Sequence, residues 1–143
     1  MDLKQTILSA RTALDRVEKT PDQLKMLLGF DGFVDEIIDV VDKRENFEKY
    51  SKVETIKAFA ERLDRAAGLS TNVELVPRQV KLGGNGPIMA NALLSYGAQV
   101  TYVGAVGYPN IHPVFEDMAS KTVETISIAE PGHTDACEFN DGK

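Results

Sequence analysis

Two short stretches carry the side chains and backbone that could do chemistry. "LLGFDGFVDE", residues 27–36, sets Asp31 and Asp35 four residues apart behind an apolar run. "KLGGNGPIMANALLSYG", residues 81–97, sets Gly83, Gly84, Asn85 and Gly86 directly before Pro87 and an apolar stretch of helical spacing. Carboxylates accept hydrogen bonds from hydroxyl groups, and such charge-assisted bonds are worth about 1.5–3 kcal/mol each. Glycines at a helix mouth let backbone N–H groups come close to a ligand. Taken alone, the same residues equally make solvated turn acids and a tight turn into a helix.

Other chemistries fail on particular positions. A phosphate-binding P-loop needs Lys-Ser/Thr after its last glycine, and here Gly86 is followed by Pro87 and Ile88. A dinucleotide fingerprint needs a third glycine where this chain has Met89. Residues 27–36 also resemble the first motif of haloacid dehalogenase-type phosphatases, but Gly29 stands where the nucleophilic aspartate belongs and Phe33 where the threonine belongs. Asp31 and Asp35 have no third ligand nearby in sequence, so no metal site is expected. His112 is expected at a helix start, His133 in a loop, and Cys137 as a small apolar filler on a strand.

The elements that must position these residues follow from hydrophobic periodicity. Leu3, Ile7, Ala10, Leu14 and Val17 predict an amphipathic helix over 3–18, stopped by Thr20-Pro21-Asp22. Residues 25–30 read as a buried strand. Residues 33–42 fit either period, with Val and Ile favouring a strand. Residues 52–67 predict a helix with Val53, Ile56, Phe59, Ala60, Leu63 and Ala67 on one face, ended by Gly68. Residues 72–82 contain Pro77 and predict an edge strand or a bulged ribbon. The helix after Gly86 is expected to bury Ile88, Met89, Ala92, Leu93 and Tyr96 and to end at Gly97. Residues 99–106 predict a strand covered on both faces. A helix beginning near His112-Pro113, with Val114, Phe115 and Met118 inward, and strands at 123–128 and 134–139 complete the list. The alternation of strand and helix predicts an α/β fold with a parallel sheet.

The 143 residues suit one domain, and a 43% apolar share suffices for a core. A net charge of −6 without a basic block disfavours nucleic acid as partner. Charged residues interrupt the N-terminal apolar pattern, so neither a signal peptide nor a membrane partner is expected. A single cysteine suits a reducing, cytoplasmic location. Asp141-Gly142 after the last strand signals a hairpin turn, from which the chain is expected to be the front part of a longer fold.

Residues 26–143 resemble the N-terminal half of ribokinase-like (PfkB family) carbohydrate kinases. The resemblance rests on Gly83-Gly84, Ala90, Gly97 and Gly107 at the family's signature spacing, on "VGAVG" at 103–107, and on "GFDGFVDE" at 29–36. It implies a partial three-layer αβα sandwich with a small β lid built from residues near 33–45, 72–82 and 134–143, while residues 1–23 form an N-terminal helix outside the match. It implies a sugar or similar polyol as substrate, held by Asp35, Asp31 and the Gly83–Gly86 loop, with Asp35 at the family's sugar-binding position. ATP and Mg²⁺ are the implied cofactors, and lid strands pairing across a two-fold axis imply a homodimer. The family's catalytic aspartate lies in a Gly-Ala-Gly-Asp motif that these residues lack, so the catalytic half is absent and the chain alone is expected to be inactive. Two departures stand out: Ile88 replaces the signature asparagine, and Tyr108-Pro109-Asn110 follows Gly107 where acids are usual. The alternative is a non-catalytic sugar-binding or interaction module that kept the fold.

Overall fold

The computed structural model describes residues 2–16 and 20–142. It contains α1 (Leu3–Leu14), β1 (Lys25–Leu28), β2 (Phe33–Arg44), β3 (Tyr50–Lys52), α2 (Ile56–Arg65), β4 (Leu75–Gly83), α3 (Asn85–Ser95), β5 (Gln99–Gly104), α4 (Glu116–Lys121), β6 (Glu124–Ser127) and β7 (Gly132–Cys137). A 3-10 turn at Pro113–Phe115 leads into α4, with the His112 ring nitrogen Nδ1 accepting the Val114 N–H at its start. The architecture is mixed α/β.

Two sheets share the work. The first is parallel, in the order β1-β5-β6. In the second, the long strand β2 is flanked on one edge by antiparallel β4, and pairs also with parallel β7 and antiparallel β3. Residues 33–45, 72–82 and 134–142 thus meet in and beside one sheet. Pro77 sits on β4, an edge strand, and the register shifts between Ile37 and Ile38 of β2, where Gln79 and Pro77 are the successive partners, leaving Arg78 as the extra residue of a bulge.

The core lies between the first sheet and α3 and α4. Val100 and Tyr102 of β5, Ala90 of α3, and Val106, Phe115 and Met118 are fully enclosed, with Val34 of β2 joining from the second sheet. Enclosing an aliphatic or aromatic side chain of this size stabilises by about 1.5–3 kcal/mol, so these few residues tie the glycine-bearing helix firmly to the sheet.

Four expectations about faces are corrected. The inward residues of α3 are Pro87 and Ala90, with Leu93 and Leu94 partly covered; Ile88, Met89, Ala92 and Tyr96 face outward. The helix is apolar nearly all round, so period alone does not choose its face, and small inward residues let it lie close on the sheet. The first sheet has one open face: Leu27 is 69% exposed and Ile126 44%. Neither β1 nor β5 is covered on both sides among the described residues. The stripe on α1 buries nothing, and its last member, Val17, lies outside the described residues. α2 starts only at Ile56, because Thr55 caps it by accepting the Ala58 N–H, and Val53 packs from extended backbone instead. Phe59 of α2 stacks on Phe139 at 5.6 Å, and Asp141 accepts the Ile56 N–H at 2.9 Å, so the turn after β7 docks on the start of α2.

Candidate functional site

Asp31 leaves the end of β1 and reaches the mouth of α3. Its Oδ2 accepts the Asn85 N–H and its Oδ1 the Gly86 N–H, both at 2.8 Å. The residue that would normally cap α3 is Gly84, which has no side chain and sits at φ 92°, so the cap comes from 53 positions upstream. A carboxylate here satisfies two orphan donors and meets the positive end of the helix dipole. Tyr102, enclosed beneath, donates its hydroxyl to the Asp31 backbone carbonyl. Burial, with the Asp31 charge adding to it, pushes the Tyr102 pKa up to about 12. A Cβ on Gly86 would run into both the Asp31 carboxylate and the Tyr102 hydroxyl, which explains the glycine.

Asp35 is one strand position in from the same corner. On β2 it pairs with Lys81 of β4 and Thr134 of β7, while Phe33 pairs with Gly83 and Gly132. Strand alternation puts Phe33 and Asp35 on one face. The half-buried Asp35 carboxylate rests on Gly83 so closely that a Cβ there would collide with all three of its carboxyl heavy atoms. Among the described residues no hydrogen bond or ion pair reaches that carboxylate. Asn85 is exposed at the first position of α3. All six residues singled out from sequence therefore converge on the junction of β2, β4 and α3, with their bonding divided: Asp31 is engaged with Asn85 and Gly86, and Asp35 faces Gly83 with its acceptors free.

Against this geometry, residues 3–143 match the family model described as prokaryotic ketohexokinase. The chain belongs to the prokaryotic ketohexokinase family. A ketohexokinase of Haloferax volcanii is 33% identical over 140 residues, covering 96% of this chain and 37% of that protein. The ketohexokinase-family chain thus spans little more than a third of the length of this relative. No solved structure matches the chain.

Beyond the α3 mouth, the ketohexokinase-family chain holds a third acid that sequence reasoning passed over. Asp39 is buried on β2, its side chain 9% exposed, with Lys52 Nζ at 3.7 Å and Arg78 Nε at 3.8 Å from Oδ1. Tyr50 donates to Oδ2 at 3.1 Å, and Oδ1 has no hydrogen-bond partner among the described residues. Burial first, then the hydrogen bond to Asp39, raises the Tyr50 pKa. Arg78 continues to Glu138 at 2.7 Å, so the group links β2, β3, β4 and the exit of β7. Pro77, which marks an edge strand or a bulged ribbon in the sequence, was the available signal, since the extra residue of a bulge re-aims a side chain. Ile88 of α3 is 54% exposed. His133 lies on β7 rather than in a loop, because the strand starts at Gly132. Cys137 ends that strand, partly buried and unpaired.

Proposed function

We propose that this chain is the sugar-binding part of a ribokinase-like carbohydrate kinase, and that the whole protein transfers the γ-phosphoryl group of ATP to a hydroxyl of a ketohexose. The observation that carries the reading is the free Asp35 carboxylate on Gly83, at the mouth of a capped helix, in a chain of the ketohexokinase family. A sugar entering this corner donates hydroxyl protons to Asp35, at about 1.5–3 kcal/mol per bond. Asn85 offers an amide donor and acceptor beside it, and Phe33 an apolar wall. Asp31 contributes indirectly, by holding α3 and its glycines still. Orientation of this kind is what phosphoryl transfer asks of a protein.

The family name implies ATP and Mg²⁺. The α3 mouth does not fit a triphosphate: Asp31 uses its first N–H groups and adds negative charge, and no lysine follows Gly86. The nucleotide and its metal belong to other parts of the whole protein in this proposal, and no step is routed through them here. The second sheet serves as a lid over the sugar, in a three-layer fold completed by the whole protein. Its edge strand β4 is open to pairing with a second copy, as exposed edges invite. The cytosol is the proposed location.

The test is ATP-dependent phosphorylation by the whole protein across ketohexoses, aldohexoses and nucleosides. Turnover on a ketohexose is expected. Sugar binding without turnover by a folded protein would favour the alternative, a binding module, to which the half-exposed Ile88 in place of the signature asparagine gives support. No binding to any sugar would overturn both sugar readings and leave the interaction module.

A further inference from the structure

On the opposite side of β2 from Asp35, three potential metal ligands converge. His133 and Asp135 are two apart on β7 and so share a face. Parallel pairing sets His133 beside Val34 and Asp135 beside Glu36, which brings the Glu36 carboxylate to the same spot. His133 Nε2 lies 2.8 Å from Asp135 Oδ1 and 3.9 Å from Glu36 Oε2, and one ligand atom from each of the three residues lies within 4.8 Å of the others.

We propose that Glu36, His133 and Asp135 form a binding site for a divalent transition-metal ion, with Zn²⁺ the best fit. Ligands about 2.1 Å from a tetrahedral ion sit about 3.4 Å apart, and the two distances from His133 bracket that value. One imidazole and two carboxylates match the nitrogen and oxygen preference of Zn²⁺ and neutralise its charge. Among the described residues neither Glu36 nor Asp135 has a Lys or Arg within ion-pair distance, so two acids converge on a single imidazole with no other cation to balance them. The platform is two hydrogen-bonded strands, so little needs to be ordered on binding. His133 and Asp135 are about half exposed and Glu36 is 25% exposed, which leaves room for water in the remaining coordination position. An ion there would pin β7 to β2 directly behind Asp35. The inference stands apart from the sugar reading, since it uses the other face of the strand.

The test is calorimetric titration of the chelator-treated protein with ZnCl2 alone, with MgCl2 as the contrast, on the parent, on His133→Ala and on Glu36→Gln. His112→Ala is the control, because His112 and His133 are the two histidines of this chain. The expected result is a micromolar Zn²⁺ site that vanishes in His133→Ala, weakens at least about tenfold in Glu36→Gln, and persists in His112→Ala, with circular dichroism unchanged throughout. Co²⁺ loaded into the parent should give a visible d–d absorption band that His133→Ala lacks. Equal Zn²⁺ stoichiometry in the parent and His133→Ala, or no Zn²⁺ binding by the parent, would reduce the cluster to a surface His–Asp hydrogen bond and overturn the proposal.

Discussion

Asp31 and Asp35 sit four residues apart, both half-buried, both against glycines at the mouth of α3, yet they are bonded in opposite ways. Both carboxylate oxygens of Asp31 hold helix N–H groups, and its carbonyl holds Tyr102. Asp35 is aimed at the same corner with no protein donor among the described residues. An acid whose bonds are filled by its own fold is part of the frame. An acid kept half-exposed and unfilled is free for a ligand. Asp39, a further four residues on, is a third outcome: buried, with its charge balanced by Lys52 and Arg78 across strands.

That contrast breaks if Asp31 is dispensable. Asp31→Ala removes two charge-assisted hydrogen bonds and the helix cap, and should destabilise the protein by about 3 kcal/mol, read as a lower denaturant midpoint. Sugar binding should fall with it, as a consequence of the loosened α3. Asp39→Ala should cost less, about 2 kcal/mol for the partners left unpaired, because Lys52 and Arg78 are exposed enough to regain water. Its KM for sugar should stay unchanged, which separates the two acids by readout.

Gly83→Ala sharpens the Asp35 side. The added methyl collides with a carboxylate that can swing aside, so stability should drop by no more than about 1 kcal/mol. The displaced acid should raise KM for sugar about tenfold, the equivalent of one lost hydrogen bond. Gly84→Val would be uninformative by comparison, because φ 92° strains a β-branched residue whatever the ligand does.

An effect confined to alkaline pH reports on the Asp31 frame. The Tyr102 pKa in the folded protein is raised to about 12, above its ordinary value of about 10. The folded state therefore holds this proton more tightly than the unfolded state. Its contribution is complete below the unfolded value and is lost as pH rises through about 10 to 12. Stability should decline over that window in the parent, and Tyr102→Phe should remove that part of the decline.

Much of the frame was legible in the chain. Val and Ile over 33–42 marked β2, Pro77 marked an edge with a bulge, and Pro87 and Gly97 bounded α3. The glycine signature and the separate "GFDGFVDE" stretch named six candidate residues, and the structure brings them together at the α3 mouth. The faces were not legible. α3 is apolar nearly all round, so which residues turn inward depends on how closely Pro87 and Ala90 let it approach the sheet. The different roles of Asp31, Asp35 and Asp39 were hidden as well, since three acids at a constant spacing look alike until partners at Asn85, Gly83 and Arg78 are in place. The approach of Glu36 to His133, 97 residues away, depends on a parallel register that no local pattern records.

The most direct measurement is the KM of the whole protein for a ketohexose, the proposed substrate, with Asp35→Asn, taken alongside its melting temperature. Weakening one acceptor that only a ligand uses should raise KM about tenfold or more and move the melting temperature by less than about 2 °C. An unchanged KM, or a melting temperature that falls as far as in Asp31→Ala, would make Asp35 another piece of the frame and contradict the account.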